Sequence, residues 1–321
     1  MSRKFTTGLI IFLLFVAALV LLSRQFLMSM NGKDGFGGRG DRVALVYVEG
    51  AITGDAEAGT YLFGGSYVSS VELVDVLEKA RKDDDIRAVV LRVNSPGGSA
   101  AASHEIYEEV ARLNAEKPVV ISMGDMCASG GYFMSSPARY LFANPSTLTG
   151  SIGVIWDSLE YSSLLDRYGI RSVTLTAGEY KDIGSSTREM KENERVMLQK
   201  MLDQIHEQFI NAVAQGRKME VEDVRKLATG MIYTGENALE LKLVDELGGL
   251  EAAKAKAREL AALPEDAEVV AYEKKRTVLD IFDMLSAKSI GYPGSLRGLE
   301  QPSALETLAR RLLLHDIGYT N

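Results

Sequence analysis

An α/β fold built on a largely parallel sheet is what this chain predicts, and three observations predict it. Short apolar runs rich in Val, Ile and Leu alternate with segments whose apolar residues recur at helical spacing. The runs are apolar almost without interruption, as suits strands covered on both faces. Glycine-rich turns follow two of them, at 94–99 and 128–131, on the sheet edge where α/β sites form.

The elements follow in order. Arg3 and Lys4 precede an uncharged apolar stretch at 5–23. At 1.5 Å per residue, about 19 residues span about 28 Å, close to the thickness of a bilayer's hydrocarbon core. Ala17-Ala18 is followed by more leucine and valine, a poor cleavage site, so the segment reads as an uncleaved signal anchor. The basic flank places residues 1–4 in the cytoplasm and the rest of the chain outside it. Residues 24–41 form a linker to the domain, with five glycines between Asn31 and Gly40. A catalytic domain is expected over 42–274 and a tail over 275–321, with an amphipathic helix at about 303–314.

Within the domain the pattern predicts strands at 42–50, 86–93, 118–123, 140–143, 172–176 and 268–272. Helices are expected at 69–83, capped by Ser70, and at 101–115, 157–168, 188–215, 221–227, 234–241 and 250–262. A further helix opens at Ser129. The alternation implies right-handed crossovers and one loop-bearing edge.

Composition narrows the function. The 321 residues carry a net charge of −8 without any Lys/Arg-rich run, which argues against nucleic acid as a partner. The single cysteine, Cys127, cannot form an intrachain disulfide and reads as a small buried apolar residue.

Two turns carry the chemistry. Asn94-Ser95-Pro96-Gly97-Gly98-Ser99 precedes a helix, so unpaired backbone amides can receive an oxyanion. Ala128-Ser129-Gly130-Gly131 repeats the arrangement with a hydroxyl at the turn. A serine there is most often a plain cap. As a nucleophile it needs a base, and none of the three histidines sits in a triad setting. Lys181, in Gly178-Glu179-Tyr180-Lys181-Asp182, is the alternative. Most lysines are solvated surface charges, and a lysine base must be held neutral by desolvation or positive neighbours.

Taken jointly, several segments resemble the signal peptide peptidase A family in its short, single-unit bacterial form. They are Asn94 to Gly98, Ala128 to Tyr132, Leu148 to Val154, Gly178 to Asp182, Thr234 to Ala238 and Leu243 to Gly249. The similarity covers roughly residues 42–264. It implies a ClpP/crotonase-like fold and a serine endopeptidase with a Ser-Lys dyad, without metal or other cofactor. Ser129 matches the nucleophile, Lys181 the general base and Ser151 a hydroxyl that orients the lysine. Gly97 matches the oxyanion region, with Gly130 as its companion. The resemblance also implies a homo-oligomer, an octamer whose dyad is completed between subunits, and substrates that are remnant signal peptides at the membrane.

Other residues invite other readings. His104 and the acids Asp125 and Asp182 could suggest a triad, but helix-surface, loop or capping roles come first. Glu105, Glu108 and Glu109 read as a solvated helix face without metal-ligand spacing. Trp156 and Tyr161 read as core. His206 and His315 read as structural. The competing functions are a crotonase-type acyl-CoA enzyme, which shares the two-amide oxyanion site, and an inactive membrane-anchored scaffold that binds peptides.

Overall fold

Alternation along each strand builds the fold. In β1 (Arg42–Glu49), Val43 and Leu45 face one side while Ala44, Val46 and Val48 face the other, and both sets are buried. The same division runs through β4 (Ile86–Ser95) and β5 (Val119–Ala128). Period-two side chains that are apolar on both faces require cover on both faces. Helices α1 (Ser70–Lys82), α2 (Ala100–Glu116) and α3 (Gly130–Ser135) belong to the larger core, and α8 (Leu250–Leu260) covers the smaller one through Ala253 and Ala257.

The structure is a computed structural model that describes residues 40–54 and 67–272. The anchor at 5–23, most of the linker and the helix at 303–314 lie outside them. Among the described residues no helix is long and apolar enough to cross a membrane.

The fold is mixed α/β with a sheet that is mainly parallel. Its main path runs β10 (Val269–Ala271), β1, β4, β5, β6 (Tyr140–Ala143), β9 (Glu246–Leu247), with every neighbouring pair parallel. β7 (Leu148–Gly150) adds to β5 in parallel, and β8 (Ile232–Thr234) adds to β7 antiparallel. A separate ribbon pairs β2 (Ala51–Thr53) with β3 (Tyr67–Ser69). These short strands escape a pattern reading because three residues cannot display a period. The other helices are α4 (Ser162–Arg167), α5 (Glu192–Arg217), α6 (Val221–Leu227) and α7 (Gly235–Glu240).

Several expectations are corrected. Ser69, rather than Ser70, caps α1 by accepting from the Glu72 N–H, and the Ser70 hydroxyl instead donates to Glu105 Oε2 at 2.7 Å. Glu109 is buried, not solvated, and its carboxylate is held between Arg81 and Arg112. The expected helix at 157–168 shrinks to the single turn and a half of α4. The expected strand at 172–176 is absent: Val173 and Leu175 are 85% and 93% exposed. Trp156 and Tyr161 are likewise exposed rather than in the core. Among the described residues, 153–160 and 170–176 belong to no strand ladder, and the apolar side chains of Ile155, Leu159, Val173 and Leu175 are left exposed.

The centre of the sheet should be intolerant of voids. Leu91 is fully buried in the middle of β4. Leu91→Ala is expected to lower unfolding free energy by about 3 kcal/mol, read as a shift in the urea midpoint. A loss below about 1 kcal/mol would contradict the packing described.

Candidate active site

The first turn begins where β4 ends. Ser95 Oγ accepts the Gly97 N–H at 3.1 Å, folding the chain back at Pro96. β2 then joins the turn: Ile52 donates to the Gly97 carbonyl at 2.9 Å and accepts from Ser99 N–H at 2.8 Å. The fit leaves no room for a side chain at Gly98, where a Cβ would stand 2.1 Å from the Ile52 carbonyl oxygen. Gly97 adopts a φ of 96°, open to glycine at low cost. With the Gly97 amide occupied, the Gly98 N–H has no acceptor among the described residues.

The second turn ends β5. Ser129 has φ 51° and ψ −123°, a conformation that non-glycine residues avoid. An ordinary cap serine is extended, and its oxygen accepts an amide of the first helical turn. Ser129 does neither. Its own N–H donates to the Gly150 carbonyl and its carbonyl accepts from Phe133, both at 2.8 Å, so the backbone is pinned while the half-buried hydroxyl is free. Such strain persists only where neighbours enforce it, and it clusters at functional sites. The plain-cap reading fails on this geometry.

The two turns touch. A Cβ on Gly97 would lie 2.6 Å from Gly130 N and 2.8 Å from Ser129 Cβ. Gly130 packs as closely on the Ser103 hydroxyl of α2. The Gly130 N–H, first in α3, has no helical acceptor. The Gly98 and Gly130 amides, free donors among the described residues, thus lie where the Ser129 turn meets the first turn.

β7 completes the cluster. Its register with β5 pairs Ala128 with Gly150, which sets Ser151 alongside Ser129. Ser151 also takes positive φ, 50°, and its N–H donates to the Met231 carbonyl at 2.8 Å. Cys127 is fully buried, and desolvation pushes its thiol up to about 12, which leaves no thiolate to compete with Ser129.

Lys181 stands apart from this cluster. It lies on successive turns at 178–185, is exposed, and makes no side-chain hydrogen bond or ion pair among the described residues. No hydrogen bond joins Lys181 Nζ to Ser129 Oγ within the chain. His104 is half exposed, stacked on Tyr107 and 3.7 Å from Glu108, as a helix-surface residue would be. Asp125 is exposed, and Asp182 is bound by Arg188. Among the described residues no three His, Cys, Asp or Glu side chains form a metal cluster.

The family model for Peptidase family S49 matches residues 111–264, and that for Clp protease matches residues 68–147. A chain from Methanocaldococcus jannaschii that bears a protease name is 37% identical over 268 residues, covering 82% of this chain and 85% of its own. The chain belongs to peptidase family S49. It is a serine-type peptidase. A signal peptide peptidase SppA by name, from Enterococcus faecium, is 34% identical over 75% of this peptidase and 70% of its own length. Protease 4 of Salmonella typhi is 38% identical over 84% of the peptidase, which spans 41% of that longer chain. The Clp-protease match contains both glycine turns, and the S49 match contains Ser129, Ser151 and Lys181.

Two features of the peptidase's site were beyond a sequence reading. The free amide of the first turn belongs to Gly98 because Ser95 Oγ occupies that of Gly97. Arg188, which binds the Lys181 turn, offers no sequence signal beyond six-residue spacings to two acids.

Proposed function

We propose that this peptidase is a membrane-anchored endopeptidase in which Ser129 attacks and Lys181 serves as base, acting on remnant signal peptides. One observation carries the reading: Ser129 is a strained, uncapped serine in a turn that touches the Gly97-Gly98 turn, where two backbone amides have no acceptor among the described residues. The apolar 5–23 segment behind two basic residues supports the anchor. An outward-facing tethered peptidase meets extended apolar peptides released at the bilayer.

The chemistry follows from the arrangement. Neutral Lys181 takes the Ser129 proton as Oγ bonds to the scissile carbonyl carbon. The oxyanion formed is received by the Gly97-Gly98 turn, through the Gly98 N–H, and by the Gly130 N–H. Each such donor contributes about 3 kcal/mol. Protonated Lys181 returns its proton to the leaving amine, and water, deprotonated by the same amine, hydrolyses the acyl-enzyme. Ser151 orients the lysine, as the third group of a triad orients its base.

The dyad is completed between subunits of a homo-oligomer, octameric by resemblance. Among the described residues neither reactive side chain has a hydrogen-bond partner, and the segment that bears Lys181 carries exposed Ile155, Leu159, Val173 and Leu175. So much apolar surface on one arm suits burial against a second copy. The test is complementation. Ser129→Ala and Lys181→Ala chains, each inactive alone, are expected to regain hydrolysis of denatured casein when unfolded, mixed and reassembled. Mixed oligomers without activity would contradict a shared dyad, and full activity of Lys181→Ala alone would remove the lysine as base.

A further inference from the structure

Arg188 makes the densest set of side-chain bonds to the turn bearing Lys181, beside single bonds from Asn193 to Glu179 at 3.1 Å and from Ser158 to the Gly184 carbonyl at 3.3 Å. Arg188 Nε donates to Asp182 Oδ2 at 2.9 Å and Nη2 to Asp182 Oδ1 at 2.7 Å. Nη2 also reaches the Asp182 carbonyl at 2.9 Å, so the guanidinium grips backbone and side chain together. Its other edge meets Glu194, with Nη1 to Oε2 at 2.8 Å and Nη2 to Oε1 at 2.7 Å. Glu194 is 1% exposed and accepts the Lys191 N–H, which fixes it in the first turn of α5. The charged groups at this junction are Asp182, Arg188, Lys191 and Glu194. Arg188 holds both carboxyls below their ordinary range.

This network is more than a surface pair. A planar fork that binds two carboxylates in bidentate fashion fixes direction as well as distance, which an exposed Lys–Glu pair does not. It acts on the residue next to Lys181, in a stretch otherwise held by single bonds: turn bonds such as Lys181 N–H to Gly178 O at 3.3 Å and Ser185 N–H to Asp182 O at 3.2 Å, and one side-chain bond each from Asn193 and Ser158. It also explains why α5 begins at Glu192 and not at 188: residues 188–191 are spent on the clasp.

We propose that Arg188 is a positioning residue, clasping the Lys181 turn to the buried Glu194 carboxylate in the first turn of α5 so that the amine is presented to Ser129 at fixed geometry. The proposal rests on the Ser129–Lys181 reading above. A misplacement of about 1 Å in a reacting group can cost about 100-fold in rate, so the clasp should matter to turnover more than to substrate binding.

The experiment uses the detergent-solubilised full-length chain and a fluorophosphonate probe that labels Ser129. Arg188→Gln should lower both labelling rate and kcat by about 10- to 100-fold, with KM changed less than about twofold. If Arg188 acts through Lys181, this slowing disappears in the Lys181→Ala background. Equal slowing in both backgrounds, or a wild-type rate for Arg188→Gln, would overturn the proposal while leaving the dyad intact. A Lys181→Ala chain that labels as fast as wild type would instead overturn the dyad. Should Arg188→Gln fail to fold, Arg188→Lys keeps the charge without the fork. An intermediate rate, raised toward wild type in Arg188→Ala by added methylguanidinium, supports the clasp; a wild-type rate in Arg188→Lys refutes it.

Discussion

Ser129→Ala is expected to lower kcat/KM for a denatured protein substrate by about 10⁴-fold or more and to abolish fluorophosphonate labelling. The hydroxyl makes no hydrogen bond that the fold needs, so thermal unfolding should stay within a few degrees of wild type. The oxyanion amides at Gly98 and Gly130 survive the substitution, which is why a small residual rate above the uncatalysed one is also expected. Retention of more than a tenth of the activity, or unchanged labelling, would assign the nucleophile elsewhere. Cys127 could not be that substitute, because its thiol is buried and protonated.

Gly97→Ala should produce the second-largest loss. An alanine Cβ would stand 2.6 Å from Gly130 N and 2.8 Å from Ser129 Cβ, and the contacted atoms include backbone that cannot swing aside. The two turns must therefore separate, and with them the amide donors and the nucleophile. Losing one oxyanion donor costs about 10²- to 10³-fold in kcat, and the positive φ adds about 1–2 kcal/mol of strain. Steady-state kinetics and urea denaturation measure the two separately. Gly169→Ala is the control, since Gly169 also has positive φ, 70°, but faces open space. It should lose stability without losing kcat. If Gly97→Ala retains kcat while losing stability, the first turn is architecture alone.

The acyl-CoA alternative and the inactive scaffold give way to the peptidase family assignment, yet both were reasonable from residues alone. A glycine turn before a helix can serve any oxyanion, and a serine at such a turn is usually a cap. What removes the cap reading is a pair of dihedral angles at Ser129 and an oxygen that accepts no amide of the helix it opens. Neither is written in Ala128-Ser129-Gly130-Gly131.

The long elements were legible for a simple reason. Strands such as β4 and β5 are apolar on both faces, and α1, α2 and α8 show their spacing over three or more turns, so local pattern and global packing agree. Glu109 misled because a carboxylate reads as solvent-facing until its partners, Arg81 and Arg112, are seen to cover it. Residues 172–176 misled because alternation announces a face to be covered without saying by what. That segment has the pattern of a strand and, among the described residues, no strand beside it.

By itself the amino-acid sequence determined the parallel α/β class, the order of the principal elements and the two glycine turns with Ser129 at the second, because each is encoded in residue type and short-range spacing; Lys181 became its candidate base through the family resemblance. Only the tertiary structure decided that the two turns touch, that Gly98 rather than Gly97 holds the free amide, that Ser151 lies beside Ser129, and that Arg188 grips the Lys181 turn. Those facts depend on contacts across the fold such as Gly97 with Gly130, on the register of β7 beside β5, on a side-chain grip that a six-residue spacing does not announce, or on which donor is already taken, and a linear pattern records none of them. The opening distinction between a cap and a nucleophile belongs to the same class: it turns on backbone strain that the neighbours of Ser129 impose.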